Sequence, residues 1–400
     1  MFFPFKKTCD IDLKSDMATH NGIFRRKIGL FEAVALIVTS TLGAGIFSLP
    51  YAISKSGLFV GIIYLVLLGI LVMSLNLMLG QVADETGENM QLVGLAKKYL
   101  GKTGEYLMTL LFYLMSFGVL VIYLIGEGEA LSALFGGTKF MWSMIFVALV
   151  SLLLFVGLRL VKIIDFVLSI SILFIILIII WISAPHVDYQ NYVYTDLKNV
   201  FFPFGVILFA YSSITAIPEA HSLLKNKSKD LKKSIVISSA IVITAYILFI
   251  VGVLGVTGAN TSELATIALG QKVGPMIYLF GNLFAILAMG TGFLMTGLAL
   301  KDSLMWDYKL SKVKSFLITI VVPLVLFALG IRQFIAVIDV VGGVVVSSQM
   351  LLALLIYWRA KTMGHLKNGK YQLHHILLTM IPLFLILLIG TIYSVVKLFF

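Results

Sequence analysis

Residues 39–50 read Thr39-Ser40-Thr41-Leu42-Gly43-Ala44-Gly45-Ile46-Phe47-Ser48-Leu49-Pro50, and residues 209–219 read Phe209-Ala210-Tyr211-Ser212-Ser213-Ile214-Thr215-Ala216-Ile217-Pro218-Glu219. Each puts small or hydroxyl residues in the middle of an apolar run. A proline follows five residues after the last small residue. Glycine costs about 1 kcal/mol in a helix interior and proline about 3 kcal/mol. Both runs are therefore expected to be helices broken in mid-course. Superposing residues 45–54 on residues 213–222 pairs Ile46 with Ile214, Pro50 with Pro218, Ala52 with Ala220 and Ser54 with Ser222. Close helix packing through small residues is the competing reading of Gly43 and Gly45.

The surroundings of these stretches are suited to lipid. The chain has 400 residues, of which 60% are hydrophobic and only 12% charged. Mean hydropathy is +1.05. Soluble domains carry about 25% charged residues. Soluble globular, disordered and nucleic-acid-binding classes are excluded by this composition, despite a net charge of +11. One cysteine, Cys9, permits no internal disulfide. The apolar start of residues 1–27 is too short for a signal peptide.

A bilayer core takes about 20 mostly apolar residues per helix. Eleven stretches qualify, at about 28–53, 58–81, 105–134, 139–158, 163–183, 199–222, 234–256, 275–300, 315–331, 333–357 and 375–397. They are continuous rather than alternating, which predicts helices and not a barrel. With the N-terminus inside, the inner segments hold 24 of the 30 Lys and Arg. This asymmetry places the N-terminus in the cytoplasm and the C-terminus outside. All connections read as short, and residues 82–104 as room for an interfacial helix.

The two broken segments lie five spans apart and so run in opposite directions. This predicts an all-α polytopic membrane protein with a 5+5 inverted repeat. Residues 1–27 form a cytoplasmic tail, 28–183 the first repeat, 184–357 the second, and 358–400 an eleventh helix with the C-terminus. A broken helix bares N–H groups at the start of its second half and C=O groups at the end of its first. In lipid those groups must line a cavity and bind something. The N–H end suits a carboxylate and the C=O end an ammonium or a metal cation. Two antiparallel breaks together suit a zwitterion.

These motifs carry a family resemblance. Residues 32–52, EAVALIVTSTLGAGIFSLPYA, resemble the first helix of amino-acid permeases of the amino acid–polyamine–organocation superfamily. The likeness is to the amino acid/auxin and aromatic amino-acid permease branch. Residues 123–136 (YLIGEGEALSALFG), 209–226 (FAYSSITAIPEAHSLLKN) and 299–343 resemble its third, sixth and eighth-to-tenth helices. The resemblance implies a LeuT-like fold with discontinuous helices 1 and 6, and secondary active uptake of an amino acid through the cell membrane. It places the substrate carboxylate on the backbone of Gly43, Ala44, Gly45 and Ile46. It places the amino group on carbonyls of Thr39–Leu42, Phe209, Ala210 and Ser212. Tyr211, Ser213 and Thr215 shape the side-chain pocket, and Phe209 matches an aromatic gate. Thr39 and Thr291 fall where sodium-coupled relatives bind their cation.

Six carboxyl residues fall within the expected spans: Glu32, Glu127, Glu129, Asp165, Glu219 and Asp339. The span interiors offer them no Lys or Arg. An ionisable group in the membrane is costly and marks function by default. A carboxyl group able to be neutral there can carry a proton, which favours proton symport over sodium symport. Glu127 and Glu129 are candidates for a gate or proton role, and Glu219 for coupling or inner gating. Asp339 is expected to form an outer gate pair with Arg332. Glu32 and Asp165 read as interfacial or first-turn residues. No cofactor or metal-enzyme motif is present, and no nucleophile elbow. The rival to a transporter is a non-transporting amino-acid sensor on the same fold.

Overall fold

The computed structural model describes residues 17–20, 23–26, 28–86, 90–156, 174–224, 227–366, 373 and 377–399. Asp165 and part of the expected fifth span lie outside the described residues. The first apolar run is α1 (Leu30–Thr41) and α2 (Gly45–Ser56), bent by 55° across residues 42–44. The second is α7 (Phe204–Ala210) and α8 (Ala216–Leu223), separated by residues 211–215. Pro218 is the third residue of α8, where a missing N–H breaks no intrahelical bond. Pro50 is the sixth residue of α2, and Ser48 there returns its hydroxyl to the Gly45 carbonyl at 2.7 Å.

Around these breaks stand α3 (Leu58–Glu85), α4 (Leu92–Phe135), α5 (Lys139–Val156), α6 (Phe174–His186), α9 (Lys227–Thr257), α10 (Ala265–Val273), α11 (Pro275–Trp306), α12 (Lys312–Ala328), α13 (Phe334–Val340), α14 (Ser347–Thr362) and α15 (Leu377–Phe399). A π-helical turn, Val341–Val346, joins α13 to α14. Among the described residues, six helical runs are long and apolar enough to cross a bilayer, and the bent α1–α2 pair makes a seventh. The other expected spans are shorter, with 18 residues in α5, 17 in α12, and halves of seven and eight in α7 and α8.

Two departures from the sequence reading lie in the tail and the connections, whereas the expected helix between residues 82 and 104 is present. The tail carries a hairpin, β1 (Met17–His20) with β2 (Ile23–Arg26), so the chain is not purely helical. The connections are not all bare. Residues 184–199 form three 3₁₀ turns, and α10 fills the link between α9 and α11. Between residues 82 and 104, α4 begins at Leu92 and kinks at Gly101, whose φ is +71°. Glycine takes that conformation without a Cβ clash.

Close approach of backbones builds the centre. A Cβ on Gly45 would lie 2.7 Å from the Ala210 Cα, so α2 meets the end of α7 with nothing between. A Cβ on Gly342, in the π-turn, would run into the Gly205 carbonyl. Small residues are the usual means of such contacts in a membrane, where lipid tails give no hydrophobic drive. The α15 helix closes this side, with Thr391 bonding Ser347 at 2.8 Å.

Candidate functional site

Tyr246 of α9 ties the two breaks together. Its buried hydroxyl donates to the Thr41 carbonyl (3.0 Å) and to the Ala210 carbonyl (2.7 Å). These are the last residues of α1 and α7, whose final carbonyls have no partner within their own helices. The break in α1–α2 is turned tightly, with Gly43 N–H on Thr41 O, Ile46 N–H on Gly43 O and Phe47 N–H on Ala44 O. The wider break uses Ser212 N–H on Phe209 O and Ala216 N–H on Ser213 O.

A cavity of about 220 Å³ lies against both breaks. Ser40, Thr41, Gly43, Ala44 and Gly45 form one wall, and Phe209, Ser212 and Thr215 the facing one. Phe112, Met115, Ser116, Val119 and Tyr123 of α4 close it, with Thr296 and Ala299 of α11. None of these side chains is charged. The Tyr123 ring is wedged at the break, since a Cβ on Gly43 would lie 3.5 Å from its hydroxyl and one on Gly292 only 2.6 Å away.

Six of the expected substrate residues line this cavity: Gly43, Ala44, Gly45, Phe209, Ser212 and Thr215. Six others do not. Leu42, Ile46 and Ala210 are buried in packing. Tyr211 and Ser213 line a second, smaller void, and the Tyr211 hydroxyl donates to Leu65 O at 3.2 Å. Thr39 turns its hydroxyl back onto Leu36 O. Thr291 does the same onto Leu287 O and Ala288 O, and no contact joins the two threonines. The α4 wall was not foreseen as a set. Its signal is periodicity, since positions 112, 115, 116, 119 and 123 share one face of a helix.

The carboxyl groups separate clearly. Glu32 accepts the Gly29 N–H at 2.8 Å and caps α1. Glu127 is fully buried and neither of its oxygens has a hydrogen-bond partner. It faces α11 at Gly290, where a Cβ would lie 3.2 Å from the carboxyl, and Phe146 of α5 packs beside that point. Glu129 is buried and paired with Lys139 at 2.5 Å. Asp339 pairs with Lys397 of α15 at 2.7 Å and takes a backbone hydrogen bond from Gly205. The expected Asp339–Arg332 pair is absent. Arg332 instead lies over the Phe140 and Phe327 rings and donates to the Phe327 carbonyl. The expectation that membrane carboxyls lack basic partners fails for Glu129 and Asp339, because Lys139 and Lys397 reach in from span ends. Glu219 is half-buried near the start of α8. His221, two residues on, lies 3.4 Å from Asp84 of α3.

An uncharged cavity thus lies between interrupted helices in a bundle of apolar spans. A family model described as the tryptophan/tyrosine permease family matches residues 26–396. The chain belongs to that family. It is 25% identical over 338 residues to glutamine transporter 2 of Aliivibrio fischeri, covering 79% of this chain and 85% of the relative. It is 25% identical over 353 residues to tyrosine-specific transport system 1 of Haemophilus influenzae, covering 82% and 87%. Among solved structures it resembles a manganese transporter of Eremococcus coleocola, crystallised with an aromatic bis-isothiourea compound. That likeness has a TM-score of 0.62 at 17% identity, over 92% of this chain and 87% of the other, and concerns the fold alone.

Proposed function

We propose that this permease is a secondary active importer of an aromatic amino acid, working by alternating access and driven by a proton gradient. The observation that carries the reading is the cavity between the two breaks. Its polar surface is backbone and hydroxyl, without a charged side chain. A zwitterion carries both charges itself, and the two sets of helix ends complement them. Phe112, Phe209 and Tyr123 offer faces and edges to an aromatic ring. The family description and the tyrosine-specific relative support that class, and the glutamine transporter makes glutamine the first competitor to test.

In this reading the chain has eleven spans, with residues 28–183 and 184–357 as inverted repeats and the N-terminus in the cytoplasm of a cell-membrane protein. Phe112, Met115, Ser116, Val119 and Tyr123 of α4 close the cavity on one side of the breaks. On the opposite side Gly45 meets Ala210, and Phe47 packs edge-on against Phe284 at 5.7 Å and Phe249 at 6.5 Å. Glu127 is the proton carrier. A carboxylate sealed among apolar groups with no partner carries a large desolvation cost, and protonation removes it. Glu129 and Asp339 hold outer contacts through their lysines, and Glu219 lies in the inner half of the second broken helix.

The purified protein in liposomes takes up labelled tyrosine or tryptophan under an inward pH gradient in this account, and a protonophore stops it. Binding without uptake selects the sensor reading instead. Uptake that needs sodium and ignores the protonophore removes the proton.

A further inference from the structure

The hydroxyl groups of the main cavity are not equally engaged. A serine or threonine inside a helix can return its hydroxyl to a carbonyl three or four residues back. Thr291 of α11 does so onto Leu287 O and Ala288 O, and Ser116 of α4 does so onto Phe112 O at 2.8 Å. Thr296, five residues beyond Thr291, lines the cavity and, among the described residues, takes part in no hydrogen bond. Ser40, Ser212 and Thr215 also line it unengaged, but they stand at the two breaks, where the charged ends of a zwitterion belong. Among the described residues, Thr296 is thus the cavity hydroxyl that an uninterrupted helix leaves free.

Its level in the cavity follows from two contacts. The Tyr123 ring lies against Gly292, and Tyr113 shares a hydrogen bond of 2.7 Å with Ser303, so α4 and α11 run antiparallel. Counting between those contacts sets Val119 level with Thr296. Thr296 stands four residues, about 6 Å, along α11 from Gly292. The Tyr123 hydroxyl also adjoins Gly43, which ties the Gly292 level to the first break. The distance from that break to Thr296 is therefore comparable with the reach of a tyrosine side chain from its Cα. Along the way Val119, Met115 and Phe209 offer apolar cover for a ring. A ring held there brings its far edge to a hydroxyl that can both donate and accept.

We propose that Thr296 is a specificity-determining residue of this permease, selecting aromatic amino acids that carry a hydrogen-bonding group on the far edge of the ring. The inference rests on the amino-acid reading above and narrows it. A phenol hydroxyl can accept from Thr296 or donate to it, and an indole N–H can donate to it. Phenylalanine fills nearly the same space and leaves Thr296 unmatched. A site built to bond a substrate hydroxyl rejects the analogue lacking it more strongly than an apolar pocket rejects a change of one methylene.

The test measures KM for tyrosine, tryptophan, phenylalanine and glutamine with the full chain in liposomes. Wild type should favour tyrosine over phenylalanine at least tenfold. Thr296→Val, which keeps the shape and removes the hydroxyl, should bring that ratio to within about twofold of one, and so should Thr296→Ala. Thr296→Ser keeps the hydroxyl and should keep the preference. KM reports only the folded fraction, so a loss of protein does not imitate this pattern. Equal KM values for tyrosine and phenylalanine in the wild type overturn the proposal, as does a preference that survives the valine and alanine variants. Glutamine as the favoured substrate also overturns it and leaves the broader amino-acid reading standing. If no amino acid is bound or taken up, that reading itself is defeated.

Discussion

The first break uses three residues, 42–44, between two helices of twelve residues each. The second uses five, 211–215, between helices of seven and eight. Their sequences superpose through the prolines, yet Pro50 is the sixth residue of its second half and Pro218 the third of its own. Glycine explains the difference. Gly43 and Gly45 let the chain turn within three residues and press against Ala210, whereas Tyr211, Ser212 and Ser213 carry side chains that need room. The tight break presents backbone to the cavity. The wide break presents hydroxyls, and divides them between the cavity (Ser212, Thr215) and the small void (Ser213). The two matched stretches thus present different groups, mainly backbone at one break and hydroxyls at the other.

Substitutions can break or sharpen that contrast. The largest effect is expected at Gly45→Ala, where the new methyl meets Ala210 backbone rather than a movable side chain. Overpacking of this kind costs about 1–3 kcal/mol. Uptake should be lost and the unfolding temperature should fall. Ser213→Ala, at the matched position of the wide break, should keep at least half of wild-type uptake. Equal loss at the two sites would show that the breaks are equivalent.

Next in size is Tyr246→Phe, which leaves the Thr41 and Ala210 carbonyls without their shared donor. About 1–3 kcal/mol of stability should go with it, the cost of leaving the Ala210 carbonyl without its donor, since Thr41 O still accepts the Gly43 N–H. Thermal unfolding in detergent measures this, and an unchanged midpoint would refute the role of Tyr246 as a tie. Glu127→Gln keeps shape and neutral charge, so the protein should fold normally. It should exchange substrate across the liposome membrane at near wild-type rate, yet fail to concentrate it under a pH gradient. Concentrative uptake by this variant would remove Glu127 from coupling. The smallest effect is expected at Ser212→Ala, a severalfold rise in the KM of uptake with stability unchanged.

Much of this was legible in advance because glycine, serine and proline inside apolar runs have few explanations in lipid. The chemistry of Gly43–Gly45 and the proline offset mark both breaks in the sequence. What sequence could not supply was partners. Tyr246 reads as one more aromatic residue in an apolar helix, and only the fold brings it between two helix ends. Lys397 is 58 residues from Asp339, whereas Arg332 is seven away and looked the better match. Phe140 and Phe327 hold Arg332 instead. Thr39 and Thr291 were named by likeness, and each hydroxyl satisfies its own helix. The α10 helix escaped notice because its nine residues lie in a polar link between longer spans.

The account stands on the fit of a small double-charged ligand to the two helix junctions. Binding of an amino acid to the purified protein, compared with its methyl ester and its deaminated acid, tests this most directly. The amino acid should bind, and each analogue should bind at least tenfold more weakly because one set of peptide dipoles is left unmatched. If either analogue bound as tightly as the parent, the junctions would not be what recognises the substrate.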